Sequence, residues 1–143
     1  MGKTSVAERV GLLLTILVVV FLLMDGGAKV LGANPAVEGT MELGFAESHV
    51  AVIGILALLG AATYAWPRTA VLGAVILTGY LGGAVSVHLL EGNPIFTHTL
   101  FPVYLGALAW GALLLRDGTL RQVFPLRHRT PTQGDEPREG GGA

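Results

Sequence analysis

Four long apolar runs dominate the pattern of hydrophobic and polar positions along the chain. They cover about residues 10–31, 50–66, 70–90 and 99–115. Each run is longer than a typical strand and lacks the alternation of apolar and polar residues that a membrane barrel needs. A helix of about 20 apolar residues crosses a hydrocarbon core of about 30 Å. The pattern therefore predicts an all-α integral membrane protein, with a four-helix bundle over residues 1–117.

The connections between the runs predict how the helices are arranged. Only a proline, an arginine and a threonine, residues 67–69, separate the second run from the third. Such a short link makes the two helices antiparallel neighbours, and Trp66 beside it suits a membrane interface. The longer connections, residues 32–49 and 91–98, lie at the opposite end of the predicted bundle. The helices are therefore expected to run alternately up and down, with both termini on one side.

Basic residues lie almost entirely on the side of the termini. Eight of the nine fall there, namely Lys3, Arg9, Arg68, Arg116, Arg121, Arg127, Arg129 and Arg138. Because positive residues favour the cytoplasmic side, we expect both termini in the cytoplasm of a cell whose inner (plasma) membrane holds this multi-pass protein. Residues 118–143 are expected to form a cytoplasmic basic segment beside the membrane and then a disordered tail from about residue 130.

A cleaved signal peptide is the alternative interpretation of the first run. Lys3 and Arg9 before an apolar stretch fit that pattern. The stretch ends in Asp25 and Lys29 rather than in a small-residue cleavage site, which favours a retained helix. An intact mass lower by about thirty residues would instead indicate cleavage.

Composition narrows the classes of function. Hydrophobic residues make up 52% of the chain and charged residues 13%, with a mean hydropathy of +0.63, whereas soluble proteins carry about 25% charged residues. The lipid bilayer is therefore the expected surrounding. A net charge of −1 provides no basic excess for binding nucleic acid. Because the chain has no cysteine, it can form no disulfide and can supply neither a thiol redox group nor a thiolate ligand for an iron–sulfur cluster.

Small residues spaced four apart occur in three of the predicted helices. The pairs are Ala57 with Ala61, Gly79 with Gly83, and Ala107 with Gly111. Helices in lipid associate through close contact at small residues, so these pairs are expected to lie where helices of the bundle pack. A face that joins two copies of the chain into a homo-oligomer is the alternative.

Ionisable side chains gather where the four predicted helices end on the side away from the termini. This polar layer supplies the candidate ligand-binding residues Asp25, Lys29, Glu47, His49, His88, Glu91 and His98. Ionisable groups in or beside a membrane span are costly and mark candidate sites. The i, i+4 spacing of Asp25 and Lys29 favours an ion pair, and the i, i+3 spacing of His88 and Glu91 puts both on one helix face. The turn after Glu91 brings the chain back to His98, so two imidazoles and a carboxylate are predicted to meet.

Structural roles stay open for the same residues. Asp25 and Lys29 form a purely structural ion pair in one interpretation, and Glu47 suits the N-terminal end of a helix. His88 precedes two more apolar residues and therefore starts below the membrane surface, as either a hydrogen-bonding structural group or part of a site. No residue is assigned a catalytic role.

Three segments near the predicted helix ends carry a family resemblance. They are GAKVL at 27–31, VHLLEGNP at 87–94 and FTHTLFPVYLG at 96–106, followed by Trp110, Gly111 and the sequence LRD at 115–117. Together they resemble the DoxX-like family of small bacterial membrane proteins over roughly residues 10–117. The resemblance implies a four-helix membrane bundle in a bacterial inner membrane. Some DoxD and DoxA relatives are subunits of a thiosulfate:quinone oxidoreductase, but no family catalytic residue matches a position of this chain.

Three functions follow from the polar layer. In the leading hypothesis it forms a pocket for a small apolar or quinone-like ligand, and the chain serves as a membrane subunit beside a redox partner subunit. His88 or His98 would then donate to a quinone carbonyl, with Glu91 passing a proton. A non-redox membrane enzyme, such as a lipid isomerase with His88 and Glu91 as acid and base, is the first alternative.

Metal binding is the second alternative, with His88, Glu91 and His98 as ligands, joined by Glu47 or His49. Dimetal sites in helical bundles use Glu-x-x-His, whereas the order here is His-x-x-Glu and occurs once. The favoured prediction is therefore a site that holds no metal. Multidrug transport is disfavoured because the carboxylate of the first span, Asp25, lies at its end.

Overall fold

The computed structural model describes residues 5–123, with side chains described up to residue 120. This part of the chain contains no strand and forms helices α1 (Val6–Val30), α2 (Asn34–Met41), α3 (Glu47–Ala65) and α4 (Ala70–Leu90), a π-helical turn (Ile95–Thr99), and helices α5 (Phe101–Arg116) and α6 (Gly118–Val123). The predicted all-α class is confirmed. The second half of the predicted basic segment and the whole predicted tail, from residue 124 onward, lie outside the described residues.

Helices α1, α3, α4 and α5 form a closed four-helix ring. α1 packs against α3 and α5, and α4 packs against the same two helices from the other side. Among residues 5–123, four segments are long and apolar enough to cross a membrane: Val6–Val30, Glu47–Ala65, Ala70–Leu90 and Ile95–Arg116. Only 22–33% of the most apolar stretch of each is buried inside the bundle, so most of their apolar surface faces outward, as lipid contact requires. The predicted four-helix membrane bundle is confirmed.

Local sequence signals set where the spanning helices begin and turn. Ser5 and Glu8 form a capping box, in which Ser5 Oγ accepts from the Glu8 N–H (3.2 Å) and the Glu8 carboxylate accepts from the Ser5 N–H (3.0 Å). α1 therefore begins at Val6, one turn before the apolar run. Pro67 keeps Trp66 in an extended conformation after α3. α3 and α4 pack as the neighbours that the short link predicts.

Only one of the three pairs of small residues packs as the sequence predicts. The Ala57–Ala61 pair is fully buried in the core. In the other two pairs, Gly79–Gly83 and Ala107–Gly111, a Cβ added at any of the three glycines would have no neighbouring atom within 4 Å, and the alanine is exposed. The predicted packing within the chain is therefore wrong for these two pairs. Their use between two copies of the chain stays a prediction.

Glycine sets the closest helix crossings at other positions. A Cβ at Gly73 of α4 would stand within 3.0 Å of the N and Cα atoms of Tyr64 and of the carbonyl carbon of Thr63 in α3. Gly26 of α1 and Gly54 of α3 form a second crossing, where each added Cβ would lie 2.9 Å or 2.7 Å from the carbonyl oxygen of the other glycine. These three glycines therefore allow α3 to lie close to α1 and α4, because a side chain at any of them would clash with the neighbouring helix.

Tyr64 joins two helices at opposite corners of the ring. Its side chain is fully buried, and its hydroxyl donates to the carbonyl oxygen of Ala109 in α5 at 2.7 Å. The guanidinium of Arg116 lies 5.7 Å from the centre of its ring. Tyr64 thus fills the centre of the bundle and fixes α3 relative to α5.

We expect Tyr64→Phe to lower the free energy of unfolding by about 0.5–1.5 kcal/mol, the net value of one hydrogen bond. The loss is modest because the Ala109 carbonyl lies inside α5 and keeps its helical partner. The midpoint of thermal unfolding in detergent, followed by circular dichroism, measures the effect. Tyr104→Phe is the matched control, since Tyr104 is 49% exposed. An equal shift in both variants would contradict the proposed contribution of the hydrogen bond.

Candidate functional site

A partly open cavity of about 540 Å³ lies where α1 and α4 end and where α3 and α5 begin, here named the Lys29 end of the bundle. The four spanning helices and α2 all contribute to its lining. Most of the lining side chains are apolar, including Phe21, Leu22, Phe45, Ile53, Leu81 and Phe101. The polar ones are Asp25, Lys29, Thr40, Tyr80 and His88. A mostly apolar cavity of about 300–1,000 Å³ with a few polar groups is typical of a small-molecule site.

The α1 wall combines an ion pair with an aromatic contact. Phe21, Asp25 and Lys29 follow at intervals of four, which places them on one helix face. Lys29 Nζ donates to both carboxylate oxygens of Asp25 at 2.5 Å, the pair that the spacing predicts. The side chains of Lys29 and Asp25 are 13% and 33% exposed. Phe21 packs against Phe101 of α5 with ring centres 5.4 Å apart. This wall therefore offers a neutralised pair of charges and two aromatic rings.

The α4 wall alternates polar side chains with open backbone. Tyr80, Ala84 and His88 also follow at intervals of four and line the cavity. Gly79 and Gly83 lie beside them in the lining, and a Cβ at either would meet no atom within 4 Å. Among the described residues, no hydrogen bond occupies the Tyr80 hydroxyl or Nε2 of His88. Both groups are therefore available to a bound molecule.

His88 and His98 stand edge to face at the end of α4. Their ring centres are 6.2 Å apart, with an interplanar angle of 61°, so the two imidazoles meet as the turn predicts. Asn93 Nδ2 lies 3.1 Å from Nδ1 of His88, and Thr97 Oγ1 lies 2.8 Å from Nδ1 of His98. His88 lines the cavity, whereas His98 lies in the π-helical turn and is exposed. Each ring therefore has one nitrogen engaged by a neighbouring polar side chain.

The remaining polar-layer residues lie outside the cavity. Glu47, His49 and Glu91 are exposed and do not line it. The Glu91 carboxylate lies over Gly44, 3.1 Å from where a Cβ would stand, and no hydrogen bond within the described chain joins it to either imidazole. Within residues 5–123, no group of three or more His, Asp or Glu side chains is placed to hold a metal ion. A ligand role for these three residues stays a prediction.

Several lining residues were not predicted from the sequence. The connection at 32–49 contains α2, which supplies Thr40 to the cavity. Pro35 in the first turn of α2 is a typical helix-start signal. The i, i+4, i+8 relation of Tyr80 to His88 could have identified the tyrosine. Nothing in the sequence distinguishes Gly79 and Gly83 from packing glycines.

The fold and the cavity define a class of protein, a multi-pass membrane protein built as a four-helix bundle with a partly open cavity at one end. The chain belongs to the DoxX-like family, whose sequence model matches residues 13–112. The match extends from α1 to α5 and includes the cavity-lining residues of the α1 wall and the α4 wall. It confirms the resemblance seen in the sequence. No curated protein and no solved structure matches the chain.

Proposed function

We propose that the protein binds a small, largely apolar, quinone-like molecule in the cavity at the Lys29 end. The observation that carries the proposal is the composition of the cavity, about 540 Å³ of mainly apolar lining with a few polar groups. A quinone combines an apolar ring and tail with two carbonyl oxygens that only accept hydrogen bonds. A quinone therefore needs apolar surface together with hydrogen-bond donors, and the lining of this cavity supplies both.

The arrangement of the lining suits a flat ring. Because Gly79 and Gly83 expose bare backbone to the cavity, a ring can lie directly against α4. Phe21 and Phe101 supply aromatic surface. The Tyr80 hydroxyl and the His88 imidazole supply donors for carbonyl oxygens. The apolar and polar needs of the ligand are met by different residues.

The proposal includes a redox partner subunit. Conversion of a quinone to a quinol takes two electrons and two protons. The electrons would come from the partner, since the chain has no cysteine to carry thiol or iron–sulfur chemistry, and the protons would come from water at the Lys29 end. The concentration of basic residues on the other side of the spans supports cytoplasmic termini in the inner membrane. In that orientation the cavity opens within the outer half of the bilayer.

Acid and base catalysis on a lipid, without redox chemistry, is the second candidate. His88 and the carboxylate of Asp25 line the same cavity, which supports an acid and a base acting on one substrate. Both oxygens of Asp25 are held by Lys29, and Glu91 lies outside the cavity lining. These contacts make quinone binding the better-supported candidate.

A matched pair of glycine variants tests the binding proposal. We expect the Gly83→Leu side chain to project into the cavity, to cover the bare α4 backbone and to weaken binding of decyl-substituted benzoquinone at least tenfold. Gly82→Leu is the control, because Gly82 also has open space around its Cα but does not line the cavity. Both changes replace a helical glycine and should raise helix propensity equally, by up to about 1 kcal/mol. Calorimetric titration in one detergent cancels partitioning of the quinone into micelles.

Three outcomes decide the proposal. Binding to the wild type and to Gly82→Leu, with weak binding to Gly83→Leu, supports it. Equal binding to all three proteins places the quinone elsewhere and overturns it. Absence of saturable binding to the wild type also overturns it.

A further inference from the structure

Asn93 is fixed beside His88 by the turn that ends α4. Gly92 adopts a left-handed φ of +67°, which permits the two backbone bonds of a Schellman motif. The Asn93 N–H donates to the His88 carbonyl oxygen (3.0 Å), and the Gly92 N–H donates to the Leu89 carbonyl oxygen (3.2 Å). The Thr99 hydroxyl in turn donates to the Asn93 carbonyl oxygen at 3.3 Å. Both the N–H and the carbonyl oxygen of Asn93 are thus held by hydrogen bonds.

The Asn93 side chain places its amide nitrogen beside one of the two ring nitrogens of His88. Its Nδ2 lies 3.1 Å from Nδ1 of His88, and both residues are partly buried. An amide NH₂ group only donates, so Nδ1 of His88 accepts, and the neutral ring carries its proton on Nε2. Since Nδ1 is occupied, Nε2 is the ring nitrogen left for a molecule in the cavity.

We infer that Asn93 is a positioning residue that holds His88 in the Nε2–H tautomer, and that the cavity therefore selects ligands whose polar end is an acceptor oxygen. The preferred ligand class is a carbonyl compound of the quinone type, whose oxygens only accept, rather than its quinol, whose hydroxyl is a weaker acceptor and brings a donor of its own. Fixing the tautomer of a histidine through its other nitrogen is a recognised way of setting what the ring presents to a ligand. The choice of ligand class rests on the proposed function, whereas the tautomer does not.

Nitrogen NMR of histidine-labelled protein tests the tautomer without any ligand. We expect the His88 ring, assigned by its loss in His88→Gln, to show a protonated Nε2 and an unprotonated Nδ1 at a pH where the ring is neutral. Asn93→Asp replaces the donor by an acceptor and should move the proton to Nδ1. Thr97→Ala is the control, because it removes the partner of His98 Nδ1 and should leave the His88 signals unchanged.

A comparison of two ligands tests the selectivity. We expect the wild type to bind decyl-substituted benzoquinone more tightly than the corresponding hydroquinone, kept reduced under argon. Asn93→Asp, at a pH where the nitrogen shifts show a neutral ring, should shift the affinity ratio toward the hydroquinone by about three- to tenfold, the equivalent of one hydrogen bond. Thr97→Ala should leave the ratio unchanged.

Each outcome has a defined meaning. A proton on Nδ1 in the wild type, or a His88 signal that does not respond to Asn93→Asp, overturns the role of Asn93. The expected tautomers with an unchanged affinity ratio overturn the selectivity, while quinone binding itself stands. The expected tautomers without saturable binding of either ligand overturn the proposed function, and the ligand preference with it.

Discussion

Replacing Gly73 by alanine is expected to destabilise the bundle by about 3 kcal/mol or more, at or above the usual cost of overpacking a core. The added Cβ would overlap three backbone atoms of α3, in Tyr64 and Thr63. Backbone atoms cannot rotate away as a flexible side chain can, so α3 and α4 would have to separate. That movement would also disturb the hydrogen bond from Tyr64 to Ala109. The midpoint of thermal unfolding in detergent measures the loss.

Gly79→Ala, in the same helix, is the matched control for Gly73→Ala. Its Cβ would meet no atom within 4 Å, so the variant gains helix propensity without a clash and is expected to be more stable by about 0.5–1 kcal/mol. A loss of stability in Gly73→Ala together with a gain in Gly79→Ala would establish that the close approach of α3 at Gly73, rather than the glycine content of α4, limits the choice of residue there. A similar gain in both would contradict the close crossing.

The spanning helices were predictable because their signal is physical and strong. A run of apolar residues of membrane length can satisfy its backbone only as a helix or in a closed barrel, and the runs lack barrel alternation. The Asp25–Lys29 ion pair followed from i, i+4 spacing, which one helix determines alone. The approach of His88 and His98 followed from a turn too short to separate them. Each of these features depends on local chain geometry.

The apolar lining of the cavity was not predictable from the sequence, although Asp25, Lys29 and His88 marked the end of the bundle at which the cavity lies. In a membrane helix, apolar residues face lipid, the core and a cavity alike, so periodicity does not tell which face is which. Gly79 and Gly83 have the spacing of a packing motif, yet the structure places them at open space. Glu91 has the i, i+3 spacing that predicts a shared helix face with His88, but α4 ends at Leu90 and Glu91 lies outside the cavity lining. Such distinctions depend on where neighbouring helices stand.

Breaking the Asp25–Lys29 pair from either side is expected to cost about 2–3 kcal/mol, because the remaining charge is left without its partner inside a membrane span. Asp25→Leu leaves the ammonium of Lys29, whose side chain is 13% exposed, without the carboxylate that now accepts from it. Lys29→Leu leaves the carboxylate unpaired in the same cavity. The midpoint of thermal unfolding in detergent is measured for both single variants and for the double variant.

The double variant separates a charge effect from a packing effect. With both charges replaced by leucine no unpaired ion remains, so we expect it to be more stable than either single variant and within about 1 kcal/mol of the wild type. Glu42→Leu, at an exposed acidic residue directly after α2, controls for the general effect of replacing a charge at the Lys29 end. Strictly additive losses in the double variant would mean that the two side chains act independently. That result would contradict a stabilising ion pair between Lys29 and Asp25. Recovery would show that the pair is tolerated in the span because each charge neutralises the other.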